Sequence, residues 1–196
     1  AYPFIKTGAK LVWCDIDPKT RVINESMIKK CLTKKTKVIV APHLYGFCID
    51  MPPIIKLAKK NKILVVEDVA QAIGTSIRNK KAGTFGDFGI YSFHSHKNIT
   101  TLGEGGMLVV KNKSHADIVP MLRHNGHCDF KYTRKKYWIP AMGNVDLPSL
   151  QNNKLIPNNF CIGEVECALG SYLLKRVNRI NNLKQERALY FIDSLK

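Results

Sequence analysis

Residues 38–66 read VIVAPHLYGFCIDMPPIIKLAKKNKILVV, and this stretch decides the fold. Its two ends, 38–41 and 63–66, are short apolar runs rich in β-branched residues, the composition of strands buried on both faces. Between them, residues 51–61 carry a helical pattern, with Pro52 and Pro53 where the first turn of a helix tolerates proline. Strand, helix and strand joined by short connections make a parallel pair with a crossover helix. The same alternation extends upstream: 10–14 is another apolar run, expected to be a strand, and 25–32 is a helical pattern that Asn24 is placed to cap. The predicted fold is α/β, a mostly parallel sheet flanked by helices.

Beyond Val66 the text changes character. Residues 67–106 read EDVAQAIGTSIRNKKAGTFGDFGIYSFHSHKNITTLGEGG, dense in Gly, Ser, Thr and His, with strands expected at 88–93 and 107–110. Polar, glycine-rich turns at strand ends are where α/β folds place their chemistry. From 124 to 159 the pattern is irregular and interrupted by Pro140, Pro148 and Pro157; loops of that length are functional or poorly ordered. From Glu164 onward Val165, Ala168, Leu169, Tyr172, Leu173, Val177, Ile180 and Leu183 share one helical face, in a helix expected to continue to Lys196.

Composition narrows the function classes. The 196 residues are 45% hydrophobic and 23% charged, globular proportions that exclude disordered, collagen-like and coiled-coil chains. No apolar run approaches the roughly 18 residues of a membrane span, and the opening AYPFIKTGAK lacks a signal-peptide layout, so a cytoplasmic location without a membrane partner is expected. Lys and Arg number 31 against 15 Asp and Glu, a net charge of +16. The lysines are scattered, with only Arg134, Lys135 and Lys136 in a denser run, which reads as a solvated face rather than a nucleic-acid surface. An anionic, phosphate-bearing small substrate suits the same charge. Cys14, Cys31, Cys48, Cys128, Cys161 and Cys167 have neither C-x-x-C spacing nor a Cys/His ligand pattern, so no metal site or disulfide scaffold is indicated. Most read as small buried hydrophobes.

Several residues could carry chemistry. Acidic residues are scarce, with only Glu25 and Asp50 between Pro18 and Val66, so Glu67 and Asp68 at a strand end stand out. Asp68 is either the N-cap of a following helix or a carboxylate held at the sheet's carboxyl edge to pair with a cationic ligand atom. Gln71, one helical turn on, can face the same ligand. Lys97 is either one more solvated lysine or, in a loop of hydroxyl, imidazole and glycine residues, an amine able to attack a carbonyl. Ser92, five residues earlier, offers a hydroxyl to an anion. The glycines at 103, 105 and 106 match neither a P-loop nor the dinucleotide fingerprint.

The order Asp68, Gln71, Ser92, Lys97, within EDVAQAIGT and KKAGTFGDFGIYSFHSHKNITTLGEGG, resembles the core of the DegT/StrS family of pyridoxal-phosphate-dependent sugar aminotransferases, fold type I. TGAKLVWCDIDPKT and VIVAPHLYGFCIDMPPI resemble its earlier strands, and NNFCIGEVECALGSYLL its interdomain helix. The resemblance implies that Lys97 would form the Schiff base with the cofactor aldehyde and that Asp68 would keep the pyridine nitrogen protonated. It implies further that Gln71 would lie near the ring, that Ser92 would bind the phosphate, and that His94 or His96 would touch phosphate or substrate unless they are structural. The family's Asn-Tyr-Arg run before the long helix reads Asn159, Phe160, Cys161 here, so a phosphate contact carries over for Asn159 alone.

Family members are longer. The resemblance therefore implies the large domain of a fold type I transferase truncated at both ends: 1–163 as the core of the cofactor-binding domain, and 164–196 as an interdomain helix leading to a small C-terminal domain. The expected activity is amino transfer, from glutamate, to a nucleotide-linked keto-sugar in surface polysaccharide or glycan biosynthesis, by a homodimer using pyridoxal 5'-phosphate. Two other readings stand beside it. One is a remnant that binds cofactor or a partner without turnover. The other is a sugar dehydratase using the same cofactor, against which Lys97 speaks, since that branch carries a histidine in its place.

Overall fold

The computed structural model describes residues 1–127, 147–152 and 154–196; Cys128, Pro140 and the basic run 134–136 lie outside them. In chain order the elements are α1 (Tyr2–Lys6), α2 (Glu25–Cys31), β1 (Val38–Pro42), α3 (Met51–Lys60), β2 (Leu64–Asp68), β3 (Ser76–Ile77), β4 (Lys80–Lys81), β5 (Phe88–Ser92), β6 (Gly106–Val110), α4 (Lys113–Arg123), α5 (Leu147–Asn152), α6 (Glu164–Lys175) and α7 (Val177–Ser194).

The sheet has the order β1-β2-β5-β6. The first three strands are parallel, and β6 returns antiparallel to β5, so the mostly parallel α/β sheet expected from residues 38–66 is what forms. α3 turns Met51, Ile54, Leu57 and Ala58 inward. They meet Ile39 and Ala41 of β1, Val65 of β2, and Ile28 of α2 in one core, where each fully buried large aliphatic contributes about 1.5–3 kcal/mol. Asn24 caps α2 as expected, its Oδ1 accepting from the Met27 amide at 3.0 Å. β3 and β4 form a small separate hairpin whose two turn residues, Arg78 and Asn79, both have positive φ, the conformation that matches strand twist in a two-residue turn.

The structure departs from expectation in several places. Residues 10–14 form no strand: their amides find no ladder, Trp13 is 79% exposed, and the nearby backbone closes on itself through Asp17 and Val22. α4 was not anticipated; Asn112 caps it by accepting from the Ser114 amide at 2.8 Å, although Pro120 lies inside it. The helical stretch from Glu164 is broken at Arg176, whose amide bonds to Leu173 O at 3.0 Å while its guanidinium lies over the Tyr172 ring. Only some cysteines behave as small hydrophobes: Cys14, Cys31 and Cys48 are half-buried, whereas Cys161 and Cys167 are exposed. Burial, with Cys31 beside it, pushes the Cys14 thiol up to about 11. Among the described residues no helix is long and apolar enough to cross a membrane.

Candidate functional site

Because β1, β2 and β5 run parallel, their carboxyl ends at Pro42, Asp68 and Ser92 open on one edge of the sheet. β6 begins at that same edge, with Gly106 opposite Ser92. Asp68, half-buried, uses Oδ1 to accept from the Ala70 amide at 3.0 Å. Residues 69–75 are turns rather than helix, so the N-cap reading of Asp68 is overturned: the chain turns away before a helix can start. Oδ2 has no protein partner among the described residues. Gln71 stays three residues on, exposed, with Oε1 accepting from the Tyr45 amide at 3.2 Å, which leaves its NH₂ uncommitted.

Successive side chains on a strand point to opposite faces, so Glu67 turns away from the face that presents Asp68. Glu67 is fully buried. Its Oε1 accepts from the amides of Phe85 and Gly86, both at 2.7 Å, and its Oε2 from the Gly83 amide at 2.8 Å and from His43 Nε2 at 3.1 Å. His43 Nδ1 accepts from the Ile49 amide at 3.1 Å, which assigns the ring proton to Nε2. Burial pushes the Glu67 carboxyl up, but the His43 contact and the three amides outweigh it and hold the carboxyl below its usual range. Gly83 is required here: its φ is +85° and a Cβ would overlap the Tyr91 hydroxyl. Glu67 thus fastens the loops after β1 and before β5 to the strand that carries Asp68. The scarcity of acidic residues drew attention to this pair, but it could not show that the two carboxylates divide, one into the core and one to the edge.

Lys97 lies on a turn closed by the backbone bonds Phe93 N to Gly105 O, Ser95 N to Gly103 O and Thr101 N to Phe93 O, at 2.8–3.0 Å. Phe93, Ile99 and Thr101 are buried and pin that turn to the body. Lys97 is half-buried, and its Nζ has no hydrogen bond or ion pair among the described residues. Ser92 Oγ accepts from the His94 amide at 3.4 Å, so its hydroxyl proton is available. His94 Nδ1 accepts from the His96 amide at 3.2 Å, which turns its other nitrogen toward Glu104 Oε1 at 3.6 Å. The exposed His96 ring packs edge-on against His94 at 4.9 Å. Both histidines therefore have partners within the turn itself.

Asn159 is not brought to this group. It pairs with His124 at the end of α4, is exposed, and accepts from the Cys161 amide at 3.4 Å; no hydrogen bond joins it to Asp68, Ser92 or Lys97. The segment that follows it does approach. Residues 161–163 and Glu166 form one wall of a groove of about 390 Å³, and residues 101–104, just beyond the Lys97 turn, form the other.

The model of the DegT/DnrJ/EryC1/StrS aminotransferase family matches residues 1–196. The chain is 34% identical over 171 residues to a GDP-perosamine synthase of Caulobacter vibrioides, covering 87% of this chain and 41% of that one. An aminotransferase of Psychrobacter cryohalolentis superimposes with a TM-score of 0.76 at 30% identity, covering 89% of this chain and 42% of the other. An E. coli GDP-4-keto-6-deoxy-D-mannose-3-dehydratase with bound hydrated PLP superimposes with a TM-score of 0.79 at 26% identity, over 98% of this chain and 49% of the other. The chain thus spans less than half the length of these relatives.

Proposed function

This chain belongs to the DegT/DnrJ/EryC1/StrS aminotransferase family, and from that premise we propose that the whole protein transfers an amino group, from glutamate, to a nucleotide-linked keto-sugar in surface polysaccharide or glycan biosynthesis. The observation that carries the reading is that, among the described residues, the half-buried Lys97 amine has no partner and Asp68 keeps one oxygen uncommitted, both following strands that end at the same edge of the sheet. The similarity to a GDP-perosamine synthase supports the nucleotide-sugar class, and the basic surface, net +16, favours an anionic substrate.

The donor set suits pyridoxal 5'-phosphate. An amine for its aldehyde (Lys97), a carboxylate oxygen for its ring nitrogen (Asp68), an amide NH₂ (Gln71) and a hydroxyl proton for its phosphate (Ser92) are all left unused by the described residues. When bound, this cofactor supplies an electron sink for negative charge at the carbon bearing the transferred nitrogen. Among the described residues Lys97 has no carboxylate partner, so none of them competes with a reacting carbonyl for its Nζ. As a free amine, that Nζ would be the group able to take the proton from the donor's amine-bearing carbon and deliver it elsewhere. Asp68 would hold the ring nitrogen and favour its protonation, Gln71 would serve the ring and its phenolic oxygen, and Ser92 would hold the phosphate. His94 and His96 remain candidates for the phosphate or substrate side of the turn.

In the same reading, residues 1–163 form the core of the cofactor-binding large domain and 164–196 lead to a small C-terminal domain. The protein works as a homodimer in which Asn159, apart from the Lys97 group of its own chain, serves the phosphate of its neighbour. The test uses the full-length protein: borohydride reduction in the presence of pyridoxal phosphate should fix the pyridoxyl group on Lys97, and Lys97→Ala should lose the label while still folding. Label appearing on a different lysine overturns the assignment.

A further inference from the structure

Asn181 lies on α7, 84 positions beyond Lys97 in sequence, yet it bonds to both turns of the candidate site. Its Nδ2 donates to the Ile73 carbonyl at 2.8 Å, two residues past Gln71. Its Oδ1 accepts from Asn98 Nδ2 at 3.1 Å, the residue next to Lys97. Asn98 Oδ1 in turn accepts from Lys184 Nζ at 2.8 Å, one helical turn along α7. The approach is close: Gly74 has a φ of +88°, and a Cβ there would stand 2.7 Å from Asn181 Nδ2, so a side chain at 74 would strain the turn and displace the Asn181 amide.

We propose that Asn181 is a positioning residue that holds the Lys97 turn in register with the turn that carries Gln71, using Asn98 as the intermediary. The two turns leave different strands, β2 and β5, and among the described residues no side-chain hydrogen bond joins them directly, whereas one half-buried amide on α7 donates to one and accepts from the other. An asparagine side chain suits the task because it offers a donor and an acceptor on the same short, planar group. Lys184 strengthens the arrangement by fixing the amide orientation of Asn98: with Oδ1 committed to the ammonium, Nδ2 is left to face Asn181. Displacement of a reacting group by about 1 Å can cost up to about a hundredfold in rate, so a loose Asn98 reaches Lys97 through the adjoining backbone.

The inference rests on the reading of Lys97 as the residue that bonds the cofactor aldehyde, and its test separates the two. In the full-length protein, the rate at which pyridoxal phosphate becomes attached to Lys97, trapped by borohydride and located by peptide mass spectrometry, is compared with the affinity for pyridoxamine phosphate, which has no aldehyde. Asn181→Ala and Asn98→Ala should each slow attachment about tenfold with pyridoxamine phosphate affinity unchanged, and the double variant should be no slower than the slower single. Asn24→Ala, which removes the α2 cap and touches neither turn by a hydrogen bond, should lose thermal stability without slowing attachment. The exposed Asn98 keeps the test decisive if Asn181→Ala does not fold. Attachment at the wild-type rate in Asn98→Ala, additive slowing in the double variant, or equal slowing in Asn24→Ala overturns the positioning role. Wild-type label on another lysine overturns the functional reading instead.

Discussion

Glu67 is fully buried and still ionised at neutral pH, because four donors converge on its two oxygens. Its carboxyl titrates below the usual range in the fold, so the folded chain holds the proton less tightly than the unfolded chain. The stabilisation is complete above about pH 4.5, the ordinary carboxyl value, and fades as the pH falls toward the lower folded value. Glu67→Gln removes this dependence and adds a cost. Whichever way the amide lies, its NH₂ must face N–H donors, since His43 donates through Nε2 and the other three partners are amides. The expected loss is about 3 kcal/mol or more, read by denaturant unfolding at pH 7, with a flatter stability curve between pH 3 and 5 than the wild type. Neither Asp68 nor Lys97 contributes to that network, so the site depends on Glu67 only through the loops it fastens.

At the scale of elements, α2 is the clearest case of local determination. Asn24 Oδ1 accepts from the Met27 amide, and Asn24 Nδ2 donates to Asp17 Oδ2 at 3.1 Å, while Ile28 on the opposite face enters the core. Asn24→Ala should cost about 1 kcal/mol, a fall of about 2–4 °C in Tm for a chain of this size, measured by thermal unfolding. The α2 cap and the prolines of α3 were legible because the signals lie within one turn of the helix they govern. The missing strand at 10–14 was not legible: an apolar run states that a strand is possible, but a ladder needs a partner edge. The break at Arg176 escaped for a related reason, since the apolar periodicity passes smoothly through it.

For the molecule as a whole, α6 and α7 present apolar side chains to solvent, with Val165 68% and Phe191 65% exposed, surface that a second subunit or a following domain would cover. The homodimer reading gives a direct measurement. Lys97→Ala and Asn159→Ala, each inactive alone, should recover activity when mixed and allowed to exchange subunits, because the heterodimer then holds one site with both groups intact. No recovery, with both variants dimeric, would mean that Asn159 serves its own chain or none.

From the residues alone came the α/β class, four of the sheet strands, the cap of α2 and the first-turn prolines of α3, and the group Asp68, Gln71, Ser92 and Lys97, because strand pattern, capping and motif spacing are local properties of the chain. What only the tertiary structure decided is which groups are left free. Among the described residues Asp68 keeps one oxygen uncommitted, the chain turning rather than coiling after β2. Glu67 is spent inside on His43 and three amides, and Asn98 is held from α7 through Asn181. Those bonds join residues 16 to 108 positions apart, and a hydrogen bond across such distances is set by how the sheet and helices pack, which no local pattern encodes.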